Sequence, residues 1–194
     1  MQLLTLSPEK AINKAYLKTG IQKKQFELFK AQLSLLYSRL DESESEENQK
    51  NILSDLLKHS LYRDIYEINT KGRIDLVIYH GRNIKANPGV LIEVKRQSNR
   101  SEMITAGKPN SKALHELILY YMEERCKNDN FEIKHVIATN VHEWYIFDAV
   151  QFEKLFFKNK TFFKKYKEWA DGLLGVPQTD WFYSELARPF LENE

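Results

Sequence analysis

Apolar residues recur at spacings of three and four through the first sixty positions. Phe26, Phe29, Leu33, Leu36, Tyr37 and Leu40 predict a helix over about 22–40 with one apolar face. Ahead of it, Ser7-Pro8 reads as a cap and first-turn pair and Gly20 as a stop, so a short helix should bury Ile12, Ala15 and Tyr16. A third helix is expected to begin inside the acidic run DESESEE at 41–47, where carboxylates favour the positive helix end. It continues through Ile52, Leu53, Leu56 and Leu57.

After His59 the period changes from helical to alternating. Residues 62–69 and 73–79 predict a hairpin around Asn69-Thr70-Lys71-Gly72, and a second turn leads into VLIEVKR at 90–96. A polar stretch at 97–110 precedes a helix from Ser111 to about Lys127, which carries Leu114, Leu117, Ile118, Tyr121 and Met122. Strands at 131–139 and 143–148 follow, and the remainder reads as helical and aromatic. A strand, a long helix and another strand call for a crossover, so the strands at 90–96 and 131–139 should run parallel in one mixed sheet. The expected fold class is α/β: 1–60 as N-terminal helices, 61–150 as the core sheet with its crossover helix, and 151–194 as a C-terminal helical extension. All three belong to one structural domain. The tail YSELARPFLENE lacks a clear final cap, and more chain is expected after it.

Composition narrows the classes. Lys plus Arg is 29 against 27 Asp plus Glu, a net charge of +2, with 42% apolar residues; this is a folded composition and not a wholly basic nucleic-acid coat. The lone Cys126 excludes an internal disulfide and a thiolate zinc site and fits a reducing compartment, so a cytoplasmic location is expected. No export signal or long apolar span is visible.

The chemistry concentrates on two strands. In RIDLVIY, Asp75 should share a face with Val77 and Tyr79, opposite Ile74, Leu76 and Ile78. In VLIEVKR, Leu91, Glu93 and Lys95 share the face opposite Val90, Ile92 and Val94, which puts Glu93 and Lys95 about 7 Å apart. Such alternation is ordinary on a half-exposed sheet, but both runs are strongly apolar and a core strand does not carry Glu and Lys without a reason. A hairpin register brings Asp75 beside Glu93, and two adjacent carboxylates repel unless a cation or proton lies between them. Hard oxygen ligands suit Mg²⁺, with Mn²⁺ as substitute, on Asp75, Glu93 and the carbonyl of Val94. Lys95 would orient or help deprotonate an attacking water and neutralise developing charge.

IDLVIY followed by LIEVK, in helix–meander–helix–strand order, resembles the PD-(D/E)xK nucleases. Asp75 stands as the second-strand acid and Glu93-Val94-Lys95 as the third-strand signature. More narrowly, INKAYLK, ESEENQKNILSDLLK, GRIDLVI, VLIEVKRQSNRSEMI, KALHELILYYMEER and IATNVHEWYIFDAVQFEKLF resemble the N-terminal cleavage domain of fused type IIG restriction-modification proteins. The resemblance implies a restriction-endonuclease-like sheet flanked by helices and a Mg²⁺-dependent endodeoxyribonuclease acting on double-stranded DNA. It also implies an extra acid on the helix before the meander, for which Glu46 is the choice and Glu47 the reserve. The proline of the family name is replaced by Ile74, and His115-Glu116 stands where related enzymes often carry Gln on the crossover helix, so no supporting role is assigned to that helix. Neither a glycine-rich cofactor loop nor an Asn-Pro-Pro motif is present. S-adenosylmethionine would therefore belong to a downstream methyltransferase region, as target recognition would, and a transient dimer on DNA is a further expectation. Two rival readings are an inactive nuclease-like module that binds DNA or docks a partner, and a repair or junction-resolving nuclease.

Around these residues, Lys71, Arg73, Arg96, Arg100, Lys108 and Lys112 are candidate phosphate contacts. In 154–169 the aromatic side chains are expected to pack on the sheet while the lysines face water. The five histidines show no metal-ligand spacing.

Overall fold

The computed structural model describes residues 3–41, 43–60, 62 and 64–193. Glu42 of the acidic run, Arg63 of the first expected strand and the terminal Glu194 lie outside the described residues. Five strands form one mixed sheet in the order β1 (Ile68–Lys71), β2 (Ile74–Tyr79), β3 (Pro88–Val94), β4 (His135–Thr139) and β5 (Trp144–Asp148). Only β3 and β4 pair in parallel; the other neighbours are antiparallel. The β1–β2 turn needs Gly72, whose φ of 58° lies in the left-handed region that a Cβ disfavours.

Helices cover both faces of this sheet. On one, α3 (Lys23–Arg39) and α4 (Glu46–His59) enclose Leu36, Ile52, Leu53, Leu56 and Leu57 against Ile68, Leu76, Ile78, Ile92 and Val94. The Ser45 hydroxyl caps α4 by accepting from the Asn48 amide at 3.1 Å, a contact of about 1 kcal/mol, with Glu46 and Glu47 in the first turn. On the other face lies α5 (Lys112–Lys127), buried on nearly every side. It is sandwiched because a C-terminal layer closes over it: α6 (Ala149–Phe152) running on as a π-helical turn to Phe157, α7 (Lys160–Ala170), α8 (Thr179–Trp181), a second π-helical stretch Phe182–Ala187, and α9 (Arg188–Asn193). Phe152, Phe156, Phe162 and Phe182 of that layer are fully buried, whereas Lys154, Lys158, Lys160, Lys164 and Lys165 are exposed, as the aromatic–lysine pattern predicts.

Five local expectations need correction. The helix expected before Gly20 is two separate turns, α1 (Pro8–Ala11) and α2 (Lys14–Leu17), split where the Asn13 side chain accepts from the Ala15 amide. Ile12 and Tyr16 are exposed rather than buried. In α3 the amphipathic stripe outruns its partner: Leu36 is buried, but Phe26, Phe29 and Tyr37 remain exposed because α4 meets only the end of the helix. The first strand begins at Ile68, not at residue 62, and β4 begins at His135, not at 131. Finally, Ile74 packs in the same cluster as Val77 and Tyr79, so strict alternation in β2 breaks at its first residues. Among the described residues, no helix is long and apolar enough to cross a membrane.

Candidate active site

β2 begins where β3 ends, because the two run antiparallel with Leu76 opposite Ile92. That register carries Asp75 to the level of Glu93, and one Asp75 carboxylate oxygen accepts from the Val94 amide at 2.9 Å. Glu93 and Lys95 project from β3 toward α5, as alternation requires, and both are buried, with residue exposures of 2% and 3%. A half-exposed sheet surface is therefore ruled out for this pair.

Lys95 Nζ lies 2.5 Å from Glu93 Oε1 and 2.7 Å from a carboxylate oxygen of Glu116 on α5. From the opposite layer, Glu46 at the start of α4 brings Oε1 to 4.0 Å from the same ammonium, while its Oε2 accepts from the Arg96 amide at 3.2 Å. Lys50, one turn further along α4, reaches to 3.8 Å from Asp75. Glu47 instead pairs with Lys50 and is largely exposed, so of the two candidate acids the structure brings Glu46 to Lys95. Gln49, fully buried on the same helix, accepts from the Gln97 amide at 3.2 Å and ties α4 to the chain leaving β3.

Four carboxylates (Glu46, Asp75, Glu93, Glu116) thus meet two ammonium groups (Lys50, Lys95), leaving a formal excess of two negative charges. Burial above all, then the Glu116 and Asp75 charges, pushes the Glu93 carboxyl well above the ordinary glutamate range against the pull of Lys95. Burial also raises Asp75, offset in part by the Val94 amide and Lys50. Burial opposes the charge on Lys95, yet Glu93 and Glu116 outweigh it and hold the ammonium more firmly protonated than usual. Behind them, Tyr120 of α5 is raised by burial and then by the same glutamates, and burial holds the His115 imidazole down at about 4.

Glu93 Oε2 has no hydrogen-bond partner among the described residues. An unpaired buried carboxylate oxygen in a negatively charged cluster is the environment that a hard divalent cation relieves. Among the described residues, no three His, Cys, Asp or Glu side chains gather closely enough to form a metal cage. Mg²⁺ takes one or two carboxylates plus water and substrate oxygens, whereas a structural zinc site takes four protein ligands. Of the third ligand named from the sequence, Val94, the structure shows the amide engaged with Asp75.

The candidate phosphate contacts divide into groups. Lys71 is paired with Glu124 at 2.6 Å and Lys112 with Glu102 at 3.1 Å. Arg96 donates through its guanidinium to the Ser43 carbonyl at 3.4 Å. Arg73, Arg100 and Lys108 are exposed. Sequence reasoning missed Glu116. Its signal was present: a carboxylate inside LHELILYYM, a stretch apolar apart from His115, calls for a buried cation.

Fold and site together define an α/β protein with a five-stranded mixed sheet and a buried acid–lysine cluster at the ends of its inner strands. The family model described as "Domain of unknown function (DUF7149)" matches residues 6–194, and the chain belongs to that family. No curated protein and no solved structure matches it.

Proposed function

We propose that this chain is a Mg²⁺-dependent endodeoxyribonuclease module of restriction-endonuclease-like fold, the cleavage part of a restriction-modification enzyme. The observation that carries the reading is the meeting of Asp75, Glu93, Lys95 and Glu46, drawn from β2, the end of β3 and α4, at the ends of the inner strands. The meander leading into a parallel β3–β4 pair through α5 supports the same reading. Asp75 and Glu93 would hold the cation, with Glu46 beside them. When bound, such an ion polarises the phosphoryl oxygen and lowers the pKa of a water. Lys95, kept protonated between Glu93 and Glu116, donates hydrogen bonds and offsets charge that builds on the phosphate. The Val94 amide and Lys50 fix the Asp75 carboxylate, and Gln49 holds the α4 layer against the strand end. Retention of all these charged groups favours an active enzyme over an inactive docking module.

The test is cleavage of supercoiled plasmid in MgCl₂ or MnCl₂ by the full chain. The wild-type protein nicks or linearises the plasmid, EDTA stops it, and Asp75→Asn or Glu93→Gln lowers the rate by a factor on the order of 10²–10³ with circular dichroism unchanged. Equal rates in the variants, or no cleavage in either metal, would refute the proposal.

A further inference from the structure

The parallel strands β3 and β4 end side by side, where the Lys95 amide donates to the Thr139 carbonyl at 2.8 Å. The loops leaving those ends enclose a cavity of about 370 Å³, lined among others by Gln97, Arg100, Met103, Asn140, His142 and Glu143. Gln97 is two residues beyond Lys95, so its Cα lies within about 7 Å of that of the lysine. A crevice outside the carboxyl ends of parallel strands is where open α/β sheets take their ligands.

The lining is chemically specific. Arg100 is exposed and has no carboxylate partner among the described residues. Met103, buried to 2% exposure, backs the cavity wall. Asn140 and Glu143 are locked together: the Asn140 Oδ1 accepts from the Glu143 amide at 2.7 Å, and its Nδ2 donates to Glu143 Oε2 at 3.2 Å. Between them the chain turns through Val141, a buried β-branched residue with φ of 75°. That conformation costs roughly 1–3 kcal/mol. It is held because the Val141 amide donates to Thr139 Oγ1 and its carbonyl accepts from the Trp144 indole, each at 2.9 Å. The strained turn brings His142 to the cavity wall, its ring 5.7 Å from that of Tyr37.

We propose that this cavity is a nucleotide subsite that seats one unit of a DNA strand next to the cleaved bond, its phosphate on Arg100 and its base against Gln97 and His142. The inference rests on the nuclease reading and deepens it. The volume is far larger than a water or an ion requires and falls within the range of small organic ligands. Anionic and heteroaromatic groups match a guanidinium, an amide and an imidazole, while the Glu143 carboxylate in the lining is engaged by the Asn140 amide. A single guanidinium is a weak anchor for a free nucleotide but sufficient for a unit already tethered by its strand.

The experiment measures binding of a fluorescein-labelled duplex by the full chain carrying Asp75→Asn, over a series of salt concentrations. Arg100→Ala weakens binding about 5- to 10-fold and lowers the slope of log affinity on log salt by about 0.9, the signature of one lost phosphate contact. Gln97→Ala with His142→Ala weakens binding without changing the slope. Arg82→Ala, in the β2–β3 turn at the far end of the hairpin, changes neither. Deoxyadenosine monophosphate, followed by quenching of Trp144 next to the cavity, produces no change below millimolar concentrations. An unchanged slope in Arg100→Ala overturns the subsite, as does a parent protein that binds no duplex, and micromolar binding of the mononucleotide overturns the strand-bound occupant. The nuclease reading fails separately, in the plasmid assay.

Discussion

Lys95→Met isolates the buried ionic cluster. In the native protein the ammonium, 3% exposed, is the only cation among the described residues within 3 Å of Glu93 and Glu116, whose side chains are 3% and 12% exposed. Methionine fills much of the same volume but leaves two neighbouring buried carboxylates without that partner. Breaking a buried pair in this way costs about 3–5 kcal/mol, which for a chain of this size lowers Tm by about 6–20 °C. The loss depends on pH with a definite sign. Glu93 is raised by burial, Glu116 and Asp75, and removing the ammonium raises it further. A carboxyl raised in the folded state contributes stability below its unfolded value, near about 4.3, and loses it as pH climbs through the folded value. The deficit of Lys95→Met is therefore largest at pH 8 and shrinks toward pH 5. Urea denaturation in EDTA at the two pH values measures it. Adding Glu93→Leu and Glu116→Leu to Lys95→Met restores stability to wild type or above, because a packed apolar replacement of a buried ionic group is neutral or stabilising by about 1–4 kcal/mol. A Lys95→Met protein within 1 kcal/mol of wild type at pH 8, or equally impaired at both pH values, would sink this reasoning.

Two other outcomes follow from the packing. Arg125, buried on α5, donates to Glu153 at 2.9 Å and to the Asn130 carbonyl at 3.3 Å and lies over the Phe131 and Phe157 rings at 3.9 and 4.3 Å. Arg125→Ala should cost about 3–5 kcal/mol in urea unfolding, and Arg125→Lys should recover little of it because an ammonium cannot reproduce the planar fork; full recovery by lysine would contradict the geometry. Deletion of residues 1–21 removes α1 and α2, which bury nothing, together with the half-buried Leu3 that packs on the core, so the stability of the remaining protein should fall by no more than about 1–2 kcal/mol. A larger loss in the same assay would mean that the arm has a partner on the core besides Leu3.

Most of the sheet was legible because period-two and period-3.6 patterns rarely coexist in one segment. RIDLVIY and VLIEVKR could only be strands, and the helix length between 111 and 127 forced the parallel crossover. The glutamate and lysine faces of β3 followed from alternation alone. What failed had tertiary causes. The stripe of Phe26, Phe29 and Tyr37 is as regular as any buried one, but periodicity reports a face and not whether something meets it. The alternation expected from residue 62 continues into a ladder only from Glu67, which bonds Tyr79 and Gly81, whereas the Ile65 and Tyr66 amides close a turn onto the Tyr62 carbonyl. The pairing of Lys95 with Glu116 was hidden by a sequence separation bridged only by the crossover, and the Val141 turn by a residue type that local rules place in extended backbone.

The position of the cluster explains why these charges are tolerated in a core. Antiparallel pairing puts the first residues of β2 and the last of β3 side by side, so Asp75 and Glu93 meet where the hydrogen-bonded ladder stops and backbone amides become free to bind carboxylates. The capped N-terminus of α4 arrives from one face, its positive end offsetting Glu46, and α5 delivers Glu116 from the other. Each layer alone supplies an unbalanced charge; all three together supply an excess of carboxylate around one fixed ammonium. Folding gains nothing from that excess, since apolar residues of the same size would pack there at lower free energy. Under the proposed function, that excess at the strand ends is the charge a bound magnesium ion would offset.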